Sequence, residues 1–585
     1  MPAVNRAPLP NSHTNDQPLW GATRADAGSW DFALWAPSSS KVSLCISGHD
    51  VPMRAEADGI FRATHPAEHG DTYAFRVDGS MIPDPASRQQ HSSVSGLSLL
   101  HDPDRFKWQS RWEGRPWRDQ VIYELHVGTF TPEGTFLAAS HRLPELADLG
   151  ITAIELMPIA HAPGNRGWGY DGVLPYAPHP AYGTPNQLRQ FIDRAHGLGI
   201  SVILDVVFNH FGPQDAHLLH VVPEFTSDHQ TPWGRGFAFH NPAVRRYFID
   251  CALMWLHEYR LDGLRLDAVH QMHDPSMQHI LEDIGHAIRS AGFSRPIHLI
   301  TEDERNDPTL HEAGLYDAQW NDDYHHAVHV LLTGESEGYY APFAKDPLGD
   351  LARALTEGFV AQGQPRPGHP AAPGKPSAHL PPDFFVSSNQ THDQVGNRAF
   401  GDRLITLAPT EAVRVAHAML LTSPHTPMLF MGEERGEVAP FQSFADYSGP
   451  IGRAVRAGRR AEMAAFAAFA DEVPDPIDPE TLHASRLGWS SDARAQEWLD
   501  LTRHLLRFRA ERLLPLFRSG LTKRPRAQRT GPRNLAVRWP FAKGDVAVWI
   551  NLGTPPDTPP PVSNLDLSMN ELTADPFAFG LKVAS

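Results

Sequence analysis

The sequence predicts an α/β fold: a (β/α)8 barrel with an N-terminal β-sandwich module and a small C-terminal β-domain. Three observations carry this. From Val121 to Gly432, eight short apolar segments alternate with helical segments. Before them, between Trp30 and Asp84, come short alternating runs (WDFALWAP, KVSLCIS, GIFRATH, DTYAFRVDG), each bounded by Gly, Pro, Ser or Asp. Runs of that length and spacing build a sandwich. After the barrel, LAVRWPF and VAVWINLG repeat the β pattern.

The elements follow in order. Residues 1–20 are polar and Pro-rich and are expected to be frayed. The barrel strands are predicted at 121–127, 151–159, 201–208, 261–268, 297–301, 317–321, 384–390 and 427–432. Helices are predicted at 140–150, closed by Gly150, and at 185–199, opened by Pro185 and closed by Gly199. A third, at 241–260, repeats Val244, Phe248, Leu253 and Leu256 at helical spacing. Further helices are expected at 276–291, 347–359, 410–422 and 501–514. Residues 209–240 form an excursion after the third strand, and 363–383 a Pro-rich loop. A doubly wound open sheet is the competing fold; no GxGxxG follows the first strand, which favours the barrel. The predicted domains are 1–104, 105–514 and 515–585.

Composition narrows the function. The 585 residues carry 51 basic and 68 acidic side chains, a net charge of -17. A binder of nucleic acid or of an anionic membrane needs a basic surface instead. Arg503, Arg507, Arg509, Arg512, Arg518, Arg524, Arg526 and Arg529 form a basic stretch, read as a solvated face or a contact with the acidic barrel. Two cysteines, Cys45 and Cys251, make no disulfide framework. The start has no apolar signal core, and no run approaches the roughly 20 apolar residues of a membrane span. A soluble, cytoplasmic protein is expected.

A barrel places its active site at the C-terminal ends of its strands. Asp205 and His210 close or follow the third strand, Arg265 and Asp267 the fourth, Glu302 the fifth, and His392 and Asp393 the seventh. Asp267, Glu302 and Asp393 would converge on one mouth. That is the equipment of a retaining glycosidase: a nucleophile, an acid/base and a further carboxylate. Arg265, two residues before Asp267, shares its strand face and would keep it ionised.

These residues carry a resemblance. DVVFNH (205–210), GLRLDAVH (263–270), ITED (300–303) and NQTHD (389–393) resemble, in order, the four signature regions of the α-amylase family of glycoside hydrolases. WDFALWAP and PDPASRQ resemble the N-terminal β-module of branching and debranching members. Within the family, ELMPIAHAPGNRGWGYDG (155–172), TPWG (231–234), EDERNDP (302–308), DAQWNDDYHHAVHVLLTGE (317–335), NQTHDQVGNRAFGDRL (389–404) and LFMGEERGEVAPF (429–441) resemble the malto-oligosyltrehalose trehalohydrolases. The resemblance implies hydrolysis of the α-1,4 bond next to a terminal trehalose unit; no cofactor is expected, and no metal is assigned, although Asn209 occupies a position that binds calcium in some amylases. It implies Asp267 as nucleophile, Glu302 as proton donor and Asp393 as transition-state stabiliser. It implies Tyr170, Asp171, His210, Arg265, His270, Asp322, Asp323, His325, His326, His392, Gln394 and Asn397 as groove residues. It also implies a pathway neighbour, the malto-oligosyltrehalose synthase. Two positions depart from the pattern: Thr301, where alanine is usual, and Arg435, where an aromatic is common at the outer groove.

Blander readings stand beside these. HHAVH (325–329) has the histidines of a metal cluster but no carboxylate or cysteine set at ligand spacing. Trp168, Trp233 and Trp320 suit either sugar stacking or core. A debranching or branching enzyme of the same family, or a non-catalytic glucan binder, are the alternative functions.

Overall fold

The computed structural model describes residues 18–26, 28–366, 371–464, 473–553, 565–572 and 575–584. The polar start at 1–17 and residues 367–370 of the Pro-rich loop lie outside them.

Eight parallel strands close into a barrel in sequence order: β1 (Ile122–Leu125), β2 (Ala153–Leu156), β3 (Ser201–Val206), β4 (Gly263–Leu266), β5 (His298–Thr301), β6 (Ala318–Trp320), β7 (Phe385–Ser388) and β8 (Thr426–Phe430). β1 pairs with both β2 and β8, so no edge is left open. Each strand is shorter than the apolar segment that announces it, and β8 begins one residue earlier than predicted, at Thr426.

Alternation along each strand builds the interior in layers. Ile122, Ala153, Ile203, Ile300, Ala318, Trp320, Val386 and Met428 pack as one apolar floor. Two residues further along the strand is the same face. That step reaches Glu124 from Ile122, Glu155 from Ala153, Asp205 from Ile203 and Glu302 from Ile300. The polar site therefore stands one layer above the floor.

The outer ring includes α1 (Phe136–Leu149), α2 (Pro185–Gly197), α3 (Pro242–Glu258), α4 (Ile280–Ser290), α5 (Asp322–Thr333), α6 (Pro347–Glu357), α7 (Thr410–Thr422) and α8 (Ala493–Phe508). α2 starts with a capping box, Thr184 against Gln187, with Pro185 in its first turn. α1 begins four residues before the predicted helix: Thr135 caps it, and Pro144 is accommodated inside. α5 was expected only as a motif; its histidines obscure a helical repeat of Tyr324, Val328 and Leu331. α8 starts at Ala493 and runs through a π turn to Phe517, so the proposed boundary after Leu514 falls inside a helical run.

The N-terminal module is two facing sheets. One holds Gly21–Asp26, Ser29–Trp35, Ile60–Pro66 and Arg54–Ala55; the other holds His49–Pro52, Val42–Ile46, Thr72–Val77 and Ser80–Ile82, with Ser98–Leu99 also paired to Thr72–Val77. The C-terminal domain is one five-stranded antiparallel sheet docked on the barrel, with Trp539 donating to the Leu355 carbonyl of α6 at 2.9 Å. The excursion at 209–240 is a short helix, His217–Val221, and a hairpin, Thr226–Thr231 with Gly234–Phe237. Its core is Phe211, Phe225 and Phe237.

The basic stretch is mostly a solvated face: of its eight arginines only Arg509 is buried, and a few of the others make ion pairs with neighbouring elements. Arg509 is buried and donates to the carbonyls of Leu421, Ser423 and His425. Arg518 pairs with Asp119, and Arg529 with Asp346. Among the described residues no helix is long and apolar enough to cross a membrane.

Candidate active site

One cation organises the barrel mouth. Arg265 on β4 is buried and donates from Nη1 to Asp205 Oδ2 at 2.7 Å and to Asp267 Oδ1 at 2.8 Å. Its Nη2 donates to Glu302 Oε2 at 3.1 Å. The guanidinium lies over the Trp320 ring, 4.1 Å from its centroid, which fixes the fork from below. Three carboxyls from three strands thus converge on one planar donor.

Asp267 and Glu302 differ in their surroundings. Asp267 accepts a second bond on Oδ2, from Asn209 Nδ2 at 3.0 Å. Glu302 is pushed well above the usual carboxylate range. Burial is the largest cause; the charges of Asp267 and Asp322 add to it, while Arg265 and the Ala268 N–H oppose. Ala268 donates that N–H to Glu302 Oε2 at 2.7 Å by adopting a left-handed backbone at φ 40°. An alanine there costs roughly 1–2 kcal/mol of strain. Asp205 is raised to about 6, again first by burial.

The loops after the strands complete the wall. Tyr170 donates its hydroxyl to Asp205 Oδ2 at 2.7 Å, and its ring stacks on His392 with centroids 5.2 Å apart. Asp393, exposed on the short helix His392–Gly396, accepts from Asn397 Nδ2 at 2.7 Å. Asp322, at the start of α5, is raised to about 7, by burial first and then by the Asp393 and Asp323 charges. His210 is bonded to Asn209 Oδ1 and stacked on Trp233, whose ring remains 47% exposed. His270 faces Glu304, with its Nε2 3.4 Å from the carboxylate.

The structure gathers Tyr170, His210, Arg265, Asp267, His270, Glu302, Asp322, His392, Asp393 and Asn397, but four predicted groove residues have other work. Asp323 is buried one helix position round from Asp322. Its Oδ2 accepts from Asn306 Nδ2 and from the N–H groups of Val360 and Ala361, pinning the chain beyond α6. His325 is buried between the Asn389 carbonyl and the Tyr340 hydroxyl. Gln394 closes a capping box with Thr391, and reaches Asp322 only at 3.5 Å. Asp171 sits beside the buried Tyr447 hydroxyl in a separate cavity with Asn165, Arg166 and Asp446. Each is adjacent in sequence to a gathered residue, and on α5 Asp323 and His325 turn inward while Asp322 and His326 stay partly exposed. His326 is partly exposed, with its ring among Tyr339, Tyr340 and Phe343.

Other expectations also resolve. Arg435 is buried, bonded to Glu434 and the Ser490 carbonyl and lying over Trp489, so it belongs to the wall and not to the outer groove. Trp320 is core, and Trp168 braces His392 while donating to the Gln442 carbonyl. Trp233 alone of the three is exposed. Glu124 and Glu155 were missed as site residues. Their signal was available: a carboxylate in the middle of an apolar strand that a barrel must bury.

Fold and site together define a glycoside hydrolase. The family model for the α-amylase catalytic domain matches residues 102–233, and that for carbohydrate-binding module 48, the isoamylase N-terminal domain, matches residues 19–90. A malto-oligosyltrehalose trehalohydrolase from Rhizobium sp. (strain M-11) is 39% identical, over 92% of this chain and 93% of its own. One from Deinococcus radiodurans is 41% identical, over 84% of this chain and 83% of its own. A Salmonella typhimurium protein crystallised as a candidate alpha amylase is 45% identical and superposes with a TM-score of 0.93, over 97% of this chain and 100% of its own. The chain belongs to the malto-oligosyltrehalose trehalohydrolase family, within the α-amylase glycoside hydrolases.

Proposed function

We propose that the enzyme hydrolyses, with retention, the α-1,4-glucosidic bond next to the terminal trehalose unit of malto-oligosyltrehalose, releasing trehalose. The carrying observation is the Arg265 fork. It holds Asp267 and Glu302 on one cation, which suits the separation of about 5–5.5 Å that a retaining pair needs.

The roles follow from the environments. Asp267, held by Arg265 and Asn209, attacks the anomeric carbon as the bond to the leaving oxygen breaks. Glu302, held protonated by burial, gives its proton to that oxygen. Glu302 then takes a proton from water, whose oxygen displaces Asp267 from the sugar. Asp393, which has no ion-pair partner among the described residues, is placed to bind sugar hydroxyls as positive charge develops on the ring. Tyr170 and Trp233 offer ring faces to sugars.

The reading includes a cytoplasmic location and a supplying reaction, catalysed by the malto-oligosyltrehalose synthase, that converts a reducing end into a trehalosyl end. The N-terminal module favours one rival, action on α-1,6 branches. Incubation with malto-oligosyltrehalose and, separately, with branched glucan decides between them. Free trehalose from the first with little action on the second is expected; debranching or branch formation without trehalose refutes the proposal.

A further inference from the structure

Glu124 is a buried carboxylate on β1 whose two oxygens both serve one residue. Oε1 lies 2.5 Å from His392 Nδ1, and Oε2 accepts from the His392 backbone N–H at 3.0 Å. Ring and backbone are thereby tied to the same rigid strand. The other ring nitrogen, Nε2, is 2.8 Å from the Tyr170 hydroxyl.

With Glu124 and Asp205 both as carboxylates, the contacts along this chain allow one assignment of protons. Tyr170 has one hydroxyl proton, and a carboxylate at Asp205, whose Oδ2 lies 2.7 Å away and also accepts from Arg265, can only receive it. The Tyr170 oxygen is then left to accept, so Nε2 must carry a hydrogen. An ionised Glu124 has no proton to give, so Nδ1 must carry one too. An imidazole with hydrogens on both nitrogens is an imidazolium.

We infer that Glu124 is a positioning residue that fixes His392 as an imidazolium, a second cation beside Arg265, and so aims the Tyr170 hydroxyl at Asp205; this rests on the hydrolytic reading above. The consequence reaches the nucleophile. With Tyr170 donating, Asp205 shares its charge between two donors and competes less with Asp267 for Arg265. With the ring neutral, the Tyr170 proton would turn to Nε2, and Asp205 would draw harder on Arg265.

The groups facing His392 from each side agree with this. Burial works against the charged ring, but Glu124 from β1 outweighs it, helped by Asp393 next in the chain and opposed by Arg265 from β4, and the ring titrates above its ordinary value. Trp168 meets its edge and Tyr170 its face. His126, after β1, is buried and kept neutral, its pKa lowered to about 3 chiefly by desolvation.

The test reads the ring directly. Full-length enzyme is labelled with 15N-histidine, and the His392 resonances are identified by their loss in H392Q. In the substrate-free wild type, both ring nitrogens are expected at protonated shifts at pH 7. In E124Q they should move to those of a neutral tautomer, and E124D should restore the charged ring. Glu124→Gln should lower turnover about 10- to 100-fold, the scale of losing a partner that orients a site ligand, with most of the loss in kcat rather than KM. A neutral His392 in the wild type at pH 7 overturns the inference, whether or not E124Q folds. An unchanged ring in folded E124Q overturns it equally. If the wild type holds a charged His392 yet releases no trehalose, the hydrolytic reading fails and the histidine's charge state stands.

Discussion

Replacing Arg265 by methionine tests whether one buried cation holds the site together. Methionine keeps an unbranched chain that can still lie on Trp320, so packing changes little. The charge change is large. Asp205 and Asp267 lose the donor that now sits 2.7 and 2.8 Å away, and each is buried. Breaking a buried pair by removing one partner costs about 3–5 kcal/mol. The cost should depend on pH, and the sign follows from the carboxylates. Asp205 already titrates near 6, above its unfolded value, and without Arg265 it rises further. A carboxyl whose folded pKa is raised costs nothing below its unfolded pKa near 4, where both states are protonated, and its full amount above its folded pKa. The deficit of Arg265→Met should therefore be largest at pH 8 and shrink toward pH 4.5. Parallel urea denaturation of variant and wild type at both pH values measures it. An equal deficit at both, or a larger one at pH 4.5, would refute the electrostatic account and leave packing as the cause.

Three further outcomes follow from the same geometry. Asp322→Asn removes a carboxyl held near 7, so it should stabilise the protein by about 1–2 kcal/mol at pH 8 and by nothing at pH 4, while lowering activity; destabilisation at pH 8 would contradict this. Trp233→Ala, at an exposed ring, should shift stability by less than about 0.5 kcal/mol while raising KM about 3- to 10-fold, read from melting and steady-state kinetics. Gly396→Ala would put a Cβ 2.2 Å from the Trp168 ring that braces His392, so it should cost about 1–3 kcal/mol in melting experiments and reduce kcat; wild-type behaviour would mean the ring yields freely.

Much of this was legible in the chain. The eight barrel strands were visible because a buried parallel strand reads as a short apolar run between helical stretches. Arg265 and Asp267 were legible as a pair because two residues apart on a strand is one face. The places where motif and structure part share a cause. Asp323 and His325 were grouped with Asp322 and His326 because motif reading follows the chain, whereas a helix turns neighbours by about 100°. Asp322 and His326, four apart, stay partly exposed while Asp323 and His325 turn inward. Glu124 and Glu155 were passed over because a strand interior was read for its apolar residues alone.

By itself the sequence determined the architecture, and it proposed the three carboxylates and the cation that accompanies one of them. These are set by local periodicity and by position at strand ends, and both are written along the chain. Only the tertiary structure decided how the charges are shared. Arg265 serves Asp205 and Glu302 as well as Asp267, Glu124 holds His392 from 268 residues away, and the Ala268 backbone strains to reach Glu302. Such contacts depend on barrel closure, which brings β1 beside β8 and stacks one inward layer over the next. Distances of that kind arise from three-dimensional register, which no single segment contains.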